Sequence, residues 1–251
     1  MHATSQTFSC TSVYKVVERS AYRAMFFEGN EDYGVATGGT SNTLTDSTKN
    51  WGTNQWQNGC VIIVDGSGWG QCKYISSNST AIVTISGNWV TNPNETSRYV
   101  LVQYPKKWQN GSPACYAVRE LCTQAWRDYQ DGMQSNIDGV RNILNSELGL
   151  SSADYIKIPT LFDKTFSFYP TKALMPNMVN SLIAGGKIII AKPFGSKNSS
   201  GQDIFEEEAK ARITSLPEVF IDDWDTYHAQ DGEIHCGTNV KRTPPATNWW
   251  E

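Results

Sequence analysis

Apolar residues come in short runs through the first half of the chain. Val61-Ile62-Ile63-Val64, Ala81-Ile82-Val83-Thr84-Ile85 and Tyr99-Val100-Leu101-Val102 are rich in β-branched side chains. Asp65-Gly66-Ser67-Gly68, Ser76-Ser77-Asn78 and Ser86-Gly87-Asn88 separate them. Such runs bounded by turn residues predict strands, because Gly, Asn and Asp accept the backbone angles of tight turns. Residues 34–104 therefore read as a small antiparallel β module. Residues 1–33 are mixed, with apolar positions at Val13, Val16, Val17, Met25, Phe26 and Phe27. The texture changes again over residues 105–251. Ile137, Val140, Ile143, Leu144 and Leu148 recur at helical spacing, so 135–148 predict an amphipathic helix with Gly149 as its C-terminal cap. Tyr155–Pro159 predict a short strand. Met178 to Ile190, folded at Ala184-Gly185-Gly186-Lys187, predict a hairpin. Asp203, three residues before Glu206, opens a helix through about Leu216, and Val219-Phe220-Ile221 reads as a strand. The order helix, strand, hairpin, helix, strand is an α/β arrangement.

Composition narrows the class. The 251 residues are 39% hydrophobic and 18% charged, which suits a globular chain rather than a disordered one. The net charge of -4 gives no general attraction to nucleic acid or anionic lipid. The most apolar stretch, Leu182 to Ala191, is broken by Gly185, Gly186 and Lys187 and is too short to cross a bilayer. Met1 to Gln6 hold neither a basic segment nor an apolar run, so cytoplasmic residence is expected. Cysteines stand at 10, 60, 72, 115, 122 and 236 with no Cys-x-x-Cys pair. Free thiols are the expectation in that setting, with a Cys60–Cys72 bridge across a hairpin as the alternative. Sequons at Asn78, Asn94, Asn110 and Asn198 are about as many as chance supplies in a chain this rich in Asn, Ser and Thr.

The most reactive chemistry lies near the C-terminus. Cys236 sits between His235 and Gly237 in a polar loop. Small neighbours admit a substrate, and a nearby imidazole helps hold a thiolate; a merely exposed or structural cysteine is the other reading. Adjacent strand residues face opposite ways, which argues against His235 as a direct base for Cys236. His228, His235, Cys236 and Asp225 fit no common zinc spacing. The acidic run Asp222, Asp223, Asp225 reads first as a solvated loop and second as a complement to a cationic substrate.

Gly232-Glu233-Ile234-His235-Cys236-Gly237-Thr238-Asn239-Val240-Lys241-Arg242 closely resembles the C-terminal active-site motif of protein-arginine deiminases. Phe220-Ile221-Asp222-Asp223 with Tyr227-His228 is similar to the segment leading into it. Pro176-Asn177-Met178-Val179-Asn180, Ala191-Lys192-Pro193-Phe194-Gly195 and Glu147-Leu148-Gly149-Leu150 with Ile156 to Phe162 look like further landmarks, as does Trp249-Trp250. Together they cover residues 135–251.

The resemblance implies a partial α/β propeller of ββαβ units, with residues 34–104 as an inserted antiparallel β module. It implies hydrolysis of peptidyl arginine to citrulline and ammonia, with Cys236 as the catalytic thiolate. It also implies calcium as a cofactor, although no calcium ligand is identifiable in this chain. A protein or peptide arginine is the implied substrate, with no nucleic acid or membrane partner. The family's catalytic histidine lies in a His-x-Asp motif, and this sequence has none: His2 precedes Ala3-Thr4 and His228 precedes Ala229-Gln230. The upstream substrate-binding aspartate has no counterpart either. The expectation is thus a chain beginning just after the His-x-Asp strand, incomplete alone and completed by an upstream segment. Two other readings stand beside it: a non-catalytic relic that binds arginine-rich peptides or a protein partner, and an adhesion role centred on Trp51, Trp56, Trp69 and Trp89.

Overall fold

A computed structural model describes residues 22–163 and 171–239. Val13, Val16 and Val17, Cys10, the C-terminal motif from Val240 onward and Trp249-Trp250 lie outside the described residues.

Fourteen strands are present among the described residues. The first, β1 (Ala24–Met25), pairs with β9 (Tyr116–Ala117). Between them runs an antiparallel sheet of seven strands: β2 (Glu31–Val35), β3 (Gly38–Gly39), β4 (Thr43–Thr45), β5 (Cys60–Asp65), β6 (Cys72–Asn78), β7 (Ile82–Ile85) and β8 (Arg98–Val102). Their order is β2-β8-β5-β6-β7-β4-β3. The predicted antiparallel module is therefore present, with one local difference. Ser76-Ser77-Asn78 is not a turn but the end of β6, where the register shifts between Ile75 and Ser77. Asn78 is there for packing: its side chain accepts from the Trp56 N–H (2.8 Å) and donates to the carbonyls of Gly52 and Ser79.

Burial explains why β5 and β8 carry unbroken apolar runs. Side chains alternate across a strand, so a continuous run means that both faces are covered. Val61 and Ile63 join Tyr99, Leu101, Leu44, Trp51 and Trp56 in the core of the module. Cys60, Ile62 and Val64 join Val100 and Val102 on the opposite face, packed against Ala24, Phe27 and Ala117. The strands entering and leaving the module thus cover one face of it. A Cys72–Cys115 disulfide ties β6 to the segment before β9. This corrects the expectation of free thiols and of a Cys60–Cys72 bridge: Cys60 is buried and free.

The remaining strands are β10 (Phe162–Asp163), β11 (Lys172–Ala173), β12 (Leu182–Ala184), β13 (Lys187–Ala191) and β14 (Glu218–Ile221). The long helix spans Gln124–Leu148, starting earlier than its apolar pattern, with Thr123 capping one end and Gly149 in the left-handed conformation at the other. The predicted strand at Tyr155–Pro159 is irregular backbone, with Ile158 buried and no strand paired to it among the described residues. The predicted hairpin forms, with Ala184 opposite Lys187. Gly185 (φ 58°) and Gly186 (φ 72°) supply the paired positive angles of its two-residue turn. A short helix, Ile204–Arg212, ends a turn before the predicted Leu216. It connects β13 to β14, which run parallel. β12, β13, the short helix and β14 make one ββαβ unit. Among the described residues the fold is mixed α/β, rich in sheet, with no closed barrel. Its second core gathers Phe26, Met175, Met178, Ile190, Phe194, Phe205 and Trp224 around that unit.

Candidate active site

The chain leaves β14 at Ile221 and plunges inward. Trp224 is fully buried, and its indole N–H donates to the Lys107 carbonyl at 2.7 Å. Its ring meets Phe26, Trp108, Phe194 and His228, with centroids 4.7 to 5.9 Å away. This aromatic anchor fixes the start of the loop. The Asp223 carbonyl then accepts from the N–H groups of Tyr227 (2.8 Å) and His228 (3.1 Å), closing a turn. Asp231 takes a left-handed conformation (φ 62°), and Glu233 begins a 3-10 turn over Ile234–Gly237.

Cys236 lies on that turn, exposed and unbonded to another cysteine. Its N–H donates to the Glu233 carbonyl at 2.9 Å. Asn180 grips the same turn from the start of the hairpin. Its Oδ1 accepts from the His235 N–H at 3.0 Å, and its Nδ2 approaches the Cys236 Sγ at 3.6 Å. Asn180 closes the Pro176–Asn180 landmark, yet sequence analysis assigned it no role. The missing information was spatial, since 56 residues separate it from Cys236.

Gly237 permits a close approach. A Cβ there would stand 2.1 Å from the Tyr227 ring and hydroxyl. Among the described residues the other free thiol is Cys60, which burial pushes up to about 12, leaving it unreactive at neutral pH.

The acidic run divides. Asp222 and Asp225 are exposed, but Asp223 is buried, against the expectation of a solvated loop. His228 is buried with its Nδ1 3.1 Å from Glu233 Oε1. His228, His235, Cys236 and Asp225 do not converge as metal ligands. Among the described residues, the grouping of three or more candidate ligand atoms is Cys60, Cys72 and Cys115. Two of those are joined in the disulfide.

Cys236 is thus an exposed thiol on a tight turn, with an amide nitrogen 3.6 Å from its sulfur. The family model of protein-arginine deiminases matches residues 91–251, and the chain belongs to that family. The match begins ahead of residue 105 and takes in β8. Human protein-arginine deiminase type-4 is 40% identical over 132 residues, 52% of this chain and 20% of that protein. Human type-1 is 42% identical over 119 residues, 47% and 18% respectively, and human type-3 is 42% identical over 125 residues, 49% and 18%. The matched region spans about a fifth of the length of these relatives.

Proposed function

We propose that this chain carries the thiol half of a protein-arginine deiminase site. Cys236 thiolate adds to the guanidinium carbon of a peptidyl arginine. The C–N bond to one terminal nitrogen breaks, ammonia departs with an added proton, and a thiouronium remains. Water then adds to that carbon, the C–S bond breaks, and citrulline and the thiolate are released. The exposed Cys236 turn, held by Asn180 within family-matched residues, is the observation that carries this reading.

The ββαβ unit is, in the same reading, one blade of an α/β propeller. The proton donor is the part this sequence does not supply, because none of its three histidines stands in a His-x-Asp motif. Loss of a general acid costs roughly 100- to 10,000-fold in rate. Turnover therefore depends on a segment that carries the motif and completes the site.

Calcium belongs to the family resemblance, and it takes roughly six to eight oxygen ligands. No step is assigned to calcium.

The test pairs two measurements on the purified chain and Cys236→Ser. One is ammonia and citrulline formation from an arginine peptide. The other is covalent labelling by 2-chloroacetamidine, a guanidinium mimic with a leaving group. Labelling confined to Cys236, with turnover appearing only when a His-x-Asp segment is added, supports the proposal. Labelling no faster than that of a simple thiol, with or without the added segment, would leave a non-catalytic relic as the better reading.

A further inference from the structure

Three titratable groups are buried in the loop that leads into the Cys236 turn. Asp223 is 2% exposed and His228 is 3% exposed, and Glu233 is buried with them. Glu233 Oε1 meets His228 Nδ1. Among the described residues, both Asp223 carboxylate oxygens, Glu233 Oε2 and His228 Nε2 have no hydrogen-bond partner. Asp223 and Glu233 stand close enough to repel. Two neighbouring buried carboxylates cannot both ionise cheaply. One proton on the pair removes the repulsion.

Among the described residues the surroundings supply no other compensation. Asp222 is ion-paired to Lys106, and Asp231 to Lys172 at 3.1 Å. Among the described residues no lysine or arginine pairs with Asp223 or Glu233. The three groups do not close on one point as metal ligands would. Trp224 and Trp108 wall off the imidazole, with centroids 4.7 and 6.4 Å from its own.

The connection to the thiol is short. The Glu233 side chain lies in this buried set, while its backbone carbonyl accepts the Cys236 N–H at 2.9 Å. Asp223 in turn anchors the loop through its own carbonyl. We propose that a proton held on Asp223, buried against Glu233 and His228, anchors the Glu233–Gly237 turn, and that losing this proton to solvent loosens the turn and displaces Cys236. These are positioning residues, since none touches the sulfur. The inference rests on the reading of Cys236 as the reactive thiol only for its functional meaning. Burial, with Glu233 and Asp222 adding to it, pushes the Asp223 carboxyl up to about 7, so the release falls in the neutral range.

The experiment follows the rate of Cys236 alkylation by iodoacetamide, located by peptide mass, from about pH 5 to about pH 9. It uses the whole chain, Asp223→Asn and Glu233→Gln. The parent profile is expected to show an inflection near pH 7 beyond the simple titration of a thiol, and each variant to lose it. A parent profile that follows one thiol titration, or variants that retain the inflection, overturns the proposal. Backbone hydrogen exchange of residues 233–237 in the parent needs no variant to fold. Protection that drops above about pH 7, after correction for base catalysis, supports the anchor, and unchanged protection overturns it. The anchor and the deiminase reading separate cleanly. An inflection together with indifference to 2-chloroacetamidine would keep the anchor and remove the deiminase reading; rapid amidine labelling with no inflection would do the reverse.

Discussion

Two thiols in one chain differ by their surroundings alone. Cys60 is sealed between strands, and Cys236 stands on an exposed turn beside an amide donor. That donor gives a first prediction. Asn180→Ala removes both the N–H at sulfur and the acceptor for the His235 amide, so Cys236 alkylation at pH 7 should slow. Asn180→Asp, which places an acceptor by the sulfur, should slow it further; equal rates in all three proteins would show that the amide has no hold on the thiol. Gly237 gives a second. An alanine Cβ would meet the Tyr227 ring at 2.1 Å, so Gly237→Ala must push ring or turn aside, at a cost of about 1–3 kcal/mol. Adding Tyr227→Ala should recover most of that loss in denaturant titrations.

At the scale of elements, Asp203 shows how one side chain assembles two segments. Its carboxylate accepts from the N–H groups of Phe205 and Glu206 at the start of the short helix, and from Gly195 at 2.6 Å. Gly195 has no room for a Cβ, which would lie 2.4 Å from Phe205. Burial outweighs these donors and pushes the Asp203 carboxyl up to about 6 from its ordinary 3.8. The folded state therefore binds more protons than the unfolded state between those values. The stability that Asp203 contributes is full below about pH 4 and declines as pH rises to about 6. Asp203→Asn keeps an acceptor without the charge and should flatten that part of the stability–pH curve. Asp203→Ala loses the cap as well and should cost about 1–2 kcal/mol below about pH 4 and less above about pH 6. Urea titrations across that range separate the two.

For the molecule as a whole, the decisive features link distant parts of the chain. The Cys72–Cys115 disulfide closes a segment with a sequence separation of 43. Cys72→Ser, which opens this bridge alone, should cost about 2–4 kcal/mol, read as a lower midpoint in urea. The long helix behaves differently. Its apolar stripe forms as the pattern predicts, yet Val140, Ile143 and Leu148 remain 59%, 62% and 64% exposed. Periodicity specifies a helix face, but not what covers it.

Local rules made much of this protein legible from its residues. Gly185-Gly186 encode the hairpin turn, Asp203 the helix start and Gly149 a helix end, because each acts through backbone angles or bonds within a few positions. The Cys236 loop was legible as a motif, since small and polar neighbours mark an accessible thiol. Other features required the chain to meet itself. The sequence could not exclude a strand at Tyr155–Pro159, because strand formation needs a partner edge. It could not pair Cys72 with Cys115 or bring Asn180 to Cys236, because those distances are set by packing. The acidic run looked solvated residue by residue. Only the tertiary structure turned Asp223 inward against Glu233 and His228, where the loss of water gives its charge a cost that no sequence pattern displays.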